Sequence, residues 1–73
     1  MNREIKEGDV IYYIGDYISS LTYLHTKYIV LNCSTNHDLV VITDDLGNNK
    51  TVQTKYILNQ EEKRIRTLNE LLQ

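Results

Sequence analysis

The stretch from Thr26 to Thr54 constrains this chain more than any other. It opens with TKYIVLNC, in which Ile29, Leu31 and Cys33 alternate with Tyr28, Val30 and Asn32. A polar turn follows over Ser34 to Asp38, and then LVVIT from Leu39 to Thr43. β-branched and aromatic residues in period two suit pleated, half-buried strands. Asp44 to Asn49 is rich in Asp, Asn and Gly, and Gly47 takes positive φ at little cost. Thr51 to Thr54, TVQT, returns as the partner strand, so residues 39–54 read as a β-hairpin. In this register Ile29, Leu31 and Cys33 share the face that turns to the core.

The flanking segments extend the same pattern. Asp9 to Ile14, DVIYYI, reads as a first strand with Val10, Tyr12 and Ile14 on one face and Ile11 and Tyr13 on the other. Both faces are apolar, which suits a small closed barrel. Gly15-Asp16 ends the strand, and Tyr17 to His25 forms a long connection packed on itself, with room for a helical turn. Lys55 to Leu58 reads as a single 3₁₀ turn or a last strand. A helix follows: Asn59 caps it, and Glu62 three positions on completes a capping box. Ile65, Leu68, Leu71 and Leu72 recur at helical spacing as one apolar stripe. A helix this short is marginal alone in water. The stripe is therefore expected to dock on the sheet, with pairing to a second copy as the alternative. Glu62 and Arg66 stand i,i+4 with the acid first, the favourable order. The predicted core is Val10, Ile29, Leu31, Val41 or its neighbours Val40 and Ile42, Leu68 and Leu72.

With 73 residues, the chain has room for one domain, 1–73, divided into a β unit over 5–58 and a helix over 59–72. A core this small holds a domain together by only about 3–5 kcal/mol. Cys33 is the one cysteine, so no intrachain disulfide assists, and a lone thiol suits a reducing compartment. The first ten residues carry Arg3, Glu4, Lys6, Glu7 and Asp9, which is no secretory h-region. No apolar run approaches the roughly 20 residues of a membrane span. A cytoplasmic location without a membrane partner is the expectation. Eight basic residues face ten acidic ones, a net charge of −2. The basic cluster Lys63, Arg64 and Arg66 is interleaved with Glu61, Glu62 and Glu70. That is a solvated helix face rather than a phosphate-binding footprint.

No catalytic constellation emerges. Cys33 shares a strand face with Ile29 and Leu31 and reads as a core thiol, and His37 four residues later is no dependable base for it. His25 and His37 fall in loops. Asp38 and Asp44 lie too far apart along one strand for a single metal, and Asp44-Asp45 is turn chemistry. No zinc spacing or phosphate-binding glycine loop occurs, so neither metal nor cofactor is implied.

About five short strands, a long first connection, a hairpin and a one-turn segment before the last element resemble the Src-homology-3-like small barrels, the architecture shared with KOW and Tudor modules. The resemblance is carried by Lys6-Glu7-Gly8-Asp9-Val10, by Lys27-Tyr28-Ile29-Val30-Leu31, by the hairpin from Leu39 to Val52, and by Lys55-Tyr56-Ile57-Leu58 at the 3₁₀ position. It implies a mainly β fold: a five-stranded barrel with a C-terminal α-helix. In size and in Lys/Ile/Asn/Tyr-rich composition the chain is also similar to short phage and prophage proteins of Gram-positive bacteria.

All six aromatic residues are tyrosines, each joining an apolar body to a polar tip. Src-homology-3 domains bind polyproline-type peptides on aromatic grooves. The resemblance places Tyr13, Tyr17 and Tyr56 where such a groove lies, with Asp16 opposing a basic ligand. The chain departs from that pattern in having no tryptophan and no proline, which counts against proline-peptide recognition. The expected function is that of a non-enzymatic interaction module binding another protein, as a monomer in preference to a dimer through the helix. The alternative is a nucleic-acid-binding KOW- or Tudor-like barrel, against which the net charge weighs.

Overall fold

A computed structural model describes residues 5–72. The strands are β1 (Val10–Tyr13), β2 (Tyr28–Cys33), β3 (Leu39–Thr43), β4 (Asn49–Gln53) and β5 (Ile57–Asn59). A 3₁₀ turn over Thr54–Tyr56 separates the last two, and helix α1 (Gln60–Leu71) closes the chain. The strands form one antiparallel sheet in the order β4-β3-β2-β1-β5. The fold is thus mainly β with a C-terminal helix.

The sheet is open in its pairing, with β4 and β5 as its edges. It is nonetheless strongly curled. The residues from Gln53 to Ile57 can span only about 14 Å, while the outer strands of a flat five-stranded sheet lie about 19 Å apart. Curling lets side chains from every strand meet in one core of Ile5, Ile11, Tyr13, Leu21, Tyr28, Val30, Val40, Ile42, Val52 and Ile57.

That core differs from the expected one in its register. Val30 is 1% exposed, whereas Ile29 and Leu31 are 47% and 43% exposed. Val10 and Val41 are half-buried, and of the three candidates on β3 it is Val40 and Ile42 that fill the interior. A one-residue shift exchanges the two faces of a strand, and β2 has apolar residues on both. The tyrosine decides it. Turned inward, the Tyr28 hydroxyl donates to Asp45 Oδ1 at 2.7 Å and accepts from the Thr22 amide at 2.7 Å, so its polar tip is satisfied inside. The β2–β3 pairing also shifts between Val30 and Asn32, a bulge after which Cys33, which plain alternation from Val30 would turn outward with Leu31, packs at the core edge.

The long connection packs on itself as expected, without a helix: Leu21 joins the core and Ile18 packs against it. Asp45 ties this loop to the hairpin turn, accepting from Thr22 Oγ1 at 2.8 Å and from Tyr28, while its amide donates to the Ser20 carbonyl. Asp44 braces the turn itself by accepting from the Leu46 and Asn48 amides, and Gly47 adopts φ +84°.

Asn59 and Glu62 form the expected capping box, at 2.8 and 2.9 Å. Helix α1 docks by a face other than the expected apolar stripe. The helix lies against β1 and β5, but Glu62, Lys63, Arg66 and Thr67 are its less exposed residues. The Lys63 ammonium sits 5.3 Å above the Tyr12 ring, and Arg66 Nη2 donates to the Tyr23 hydroxyl at 3.0 Å. Ile65, Leu68, Leu71 and Leu72 remain 49%, 52%, 76% and 84% exposed. The surface beneath the helix presents tyrosine rings and hydroxyls, which cations and donors satisfy better than leucines do.

Candidate binding cleft

The end of β1 builds one wall of a cleft. Tyr13 is buried in the core to its ring, and its hydroxyl donates to the Asp16 carbonyl at 2.6 Å, folding the chain tightly after the strand. The turn needs a residue without a side chain at Gly15. A Cβ there would stand 2.6–2.9 Å from the Tyr13 hydroxyl and ring. Burial raises the Tyr13 pKa above the ordinary tyrosine value, and the nearby Asp16 carboxylate and Tyr56 hydroxyl push the same way. The Ile14 amide donates to the Tyr56 carbonyl at 2.7 Å. This bond holds the 3₁₀ turn, and with it the Tyr56 ring, beside the end of β1. The Lys55 ammonium lies 5.1 Å from that ring.

Edge strand β4 forms the facing wall. Together Tyr13, Asp16, Ile18, Lys50, Thr51, Val52, Gln53 and Tyr56 enclose a cleft of about 280 Å³. Its apolar surface comes from the two tyrosines, Ile18 and Val52, while Asp16 and Lys50 supply opposite charges. Such a cleft has the mixture of apolar lining and few polar groups that binding sites use. Its volume suits one or two side chains of a ligand rather than a whole cofactor.

Comparison with protein-family models, curated proteins and solved structures finds no match.

Of the residues singled out in the sequence, the fold brings Tyr13, Asp16 and Tyr56 to this one cleft. Tyr17 is 90% exposed and is not among the lining residues. Ile18, Lys50 and Val52 were missed. Val52 was legible as a strand residue, but nothing in a linear pattern places Lys50 opposite Asp16. Asp45 was legible only as turn chemistry, and its role in holding the loop depends on a contact 17 residues away in the chain. Tyr28, which makes that contact, has its pKa raised mainly by burial, with Asp45 adding to the rise and the bond from the Thr22 amide opposing it.

The other candidates lie elsewhere. Cys33 packs at the margin of the core. His37 has φ +62° and sets Nδ1 3.3 Å from the Ile5 carbonyl oxygen. Among the described residues no group of three or more His, Cys, Asp or Glu side chains could hold a metal ion. No described helix is long and apolar enough to cross a membrane.

Proposed function

We propose that this chain is a non-enzymatic interaction module that takes a segment of another protein in the cleft between the end of β1, the 3₁₀ turn and β4. The observation carrying this reading is the convergence of Tyr56 and Lys50, from the far end of the chain, with Tyr13 and Asp16 at the end of β1 on one largely apolar cleft that Asp16 and Lys50 also line. The Src-homology-3-like, KOW- and Tudor-like architecture belongs to the same reading. It draws support from the strand order, from the 3₁₀ turn between the last two strands and from the curl of the sheet. A ligand fitting these walls inserts one large apolar side chain between Tyr13, Ile18 and Tyr56, with a basic group toward Asp16 or an acidic one toward Lys50. Nucleic acid is the weaker partner, since a net charge of −2 offers little to a phosphate backbone.

Selection of a random peptide library on the purified chain tests this reading. Selected peptides are expected to shift the backbone NMR signals of Lys50, Gln53 and Tyr56 and to lose at least about tenfold in affinity on Tyr56→Ala, a loss of about 1.4 kcal/mol. Peptides that bind equally well to Tyr56→Ala and Lys50→Glu, or that perturb only signals away from the cleft, would overturn it.

A further inference from the structure

The exposed stripe of α1 requires a cover. A helix of this length draws its stability from burying an apolar face, yet here the polar side faces the protein and Ile65, Leu68, Leu71 and Leu72 face outward. Their exposures amount to about two and a half fully exposed side chains. That is roughly 450–500 Å² of apolar surface in one patch, at the upper end of what monomeric proteins leave uncovered.

Apolar side chains are also exposed on the sheet itself. Tyr12 lies under Lys63 of the helix, so α1 covers the outer face of β1, the face opposite Ile11 and Tyr13. Val10 leaves that same face by strand alternation and pairs with Ile29. Ile29 and Leu31 therefore extend outer apolar surface onto β2, next to the strand on which the helix rests.

We propose that the helix stripe is the contact of a homodimer, with α1 of one copy packed against α1 of a second. The area argues for a second copy. A two-fold contact buries the same patch twice, so the stripe alone supplies roughly 1,000 Å² in total, the threshold at which an interface becomes specific. The patch is also self-complementary in chemistry. Ile65, Leu68, Leu71 and Leu72 form its aliphatic centre, while Glu61 and Arg64, exposed on the same helix face toward its N-terminus, supply the charged rim that a two-fold contact leaves in water. The cleft proposed above lies across the sheet, beside β4, and stays open in such a dimer.

Sedimentation equilibrium of the full chain from about 5 to 500 μM tests the proposal at a concentration range bracketing weak dimers. The mass of the wild type is expected to rise from that of one chain toward twice that value. Leu68→Glu and, separately, Leu72→Glu place a carboxylate in the stripe at positions the monomer leaves exposed. Both variants are expected to keep the wild-type far-ultraviolet circular dichroism and to weaken association at least tenfold. A wild type that stays monomeric throughout would overturn the proposal and assign the stripe to a different partner. A dimer that persists unchanged in both folded variants would overturn it equally. If Leu68→Glu fails to fold, Leu72→Glu, at the 84% exposed end of the stripe, carries the decision.

Discussion

Truncating Val30 and truncating Leu31, two neighbours on β2, should have effects in the opposite order to their size. Val30 is 1% exposed and sits among Ile11, Tyr28, Ile42 and the other core side chains. Val30→Ala removes two methyl groups, worth about 0.8 kcal/mol each in transfer energy. The cavity they leave adds to this, since the curled sheet relaxes only in part, giving about 2–3 kcal/mol altogether. Leu31→Ala removes three carbons, but from a side chain 43% exposed at a bulge, where no closed cavity can form. Its cost should be about 1 kcal/mol or less. Against a total stability of about 3–5 kcal/mol, the first change removes a large share and the second a minor part. The measurement is urea denaturation followed by circular dichroism at one low protein concentration, so that any dimer is dissociated. With a slope near 1 kcal/mol/M for a chain this small, Val30→Ala should lower the midpoint by about 2 M and Leu31→Ala by less than about 1 M. A Leu31→Ala midpoint as low as that of Val30→Ala, or lower, would refute the inward register of Tyr28 and Val30.

Two further predictions follow from close contacts. Gly15→Ala drives a Cβ to within 2.6 Å of a tyrosine ring that the core and the Asp16 carbonyl hold in place. It should cost about 1–3 kcal/mol in the same urea assay, and an unchanged midpoint would mean that Tyr13 is not anchored as described. The alkaline limb of stability should be set partly by Tyr13 and Tyr28. Both have folded pKa values raised above the ordinary 10.0, so the unfolded chain loses these protons first. Their contribution is complete below about pH 10 and is lost as pH rises from there through the folded values. The urea midpoint should therefore fall above about pH 10, and Tyr28→Phe should flatten part of that fall. A fall as steep in Tyr28→Phe as in the wild type would remove Tyr28 from the account.

The sequence by itself determined the elements and their punctuation. Strand β3 was legible over Leu39–Thr43, and the hairpin turn over Asp44–Asn49 to within a residue. Both the 3₁₀ turn and the short strand read as alternatives after Thr54 are present in succession, and Asn59 and Glu62 cap the helix as their spacing requires. These features rest on interactions between residues within a few positions of one another, which a linear pattern records. Tertiary structure alone decided which face each element buries. On β2 both faces are apolar, so the periodicity is degenerate. The choice fell to the Tyr28 hydroxyl, whose partners Asp45 and Thr22 come from other segments of the chain. On α1 the stripe was unambiguous, yet the surface offered to it by Tyr12 and Tyr23 matched Lys63 and Arg66 instead. The cleft has the same origin: the resemblance grouped Tyr13, Asp16 and Tyr56 with Tyr17, but only the curl of the sheet sets Lys50 and Val52 beside them and leaves Tyr17 out. Local chemistry sets where strands and helices begin and end, whereas the side they turn inward depends on partners distant in the chain.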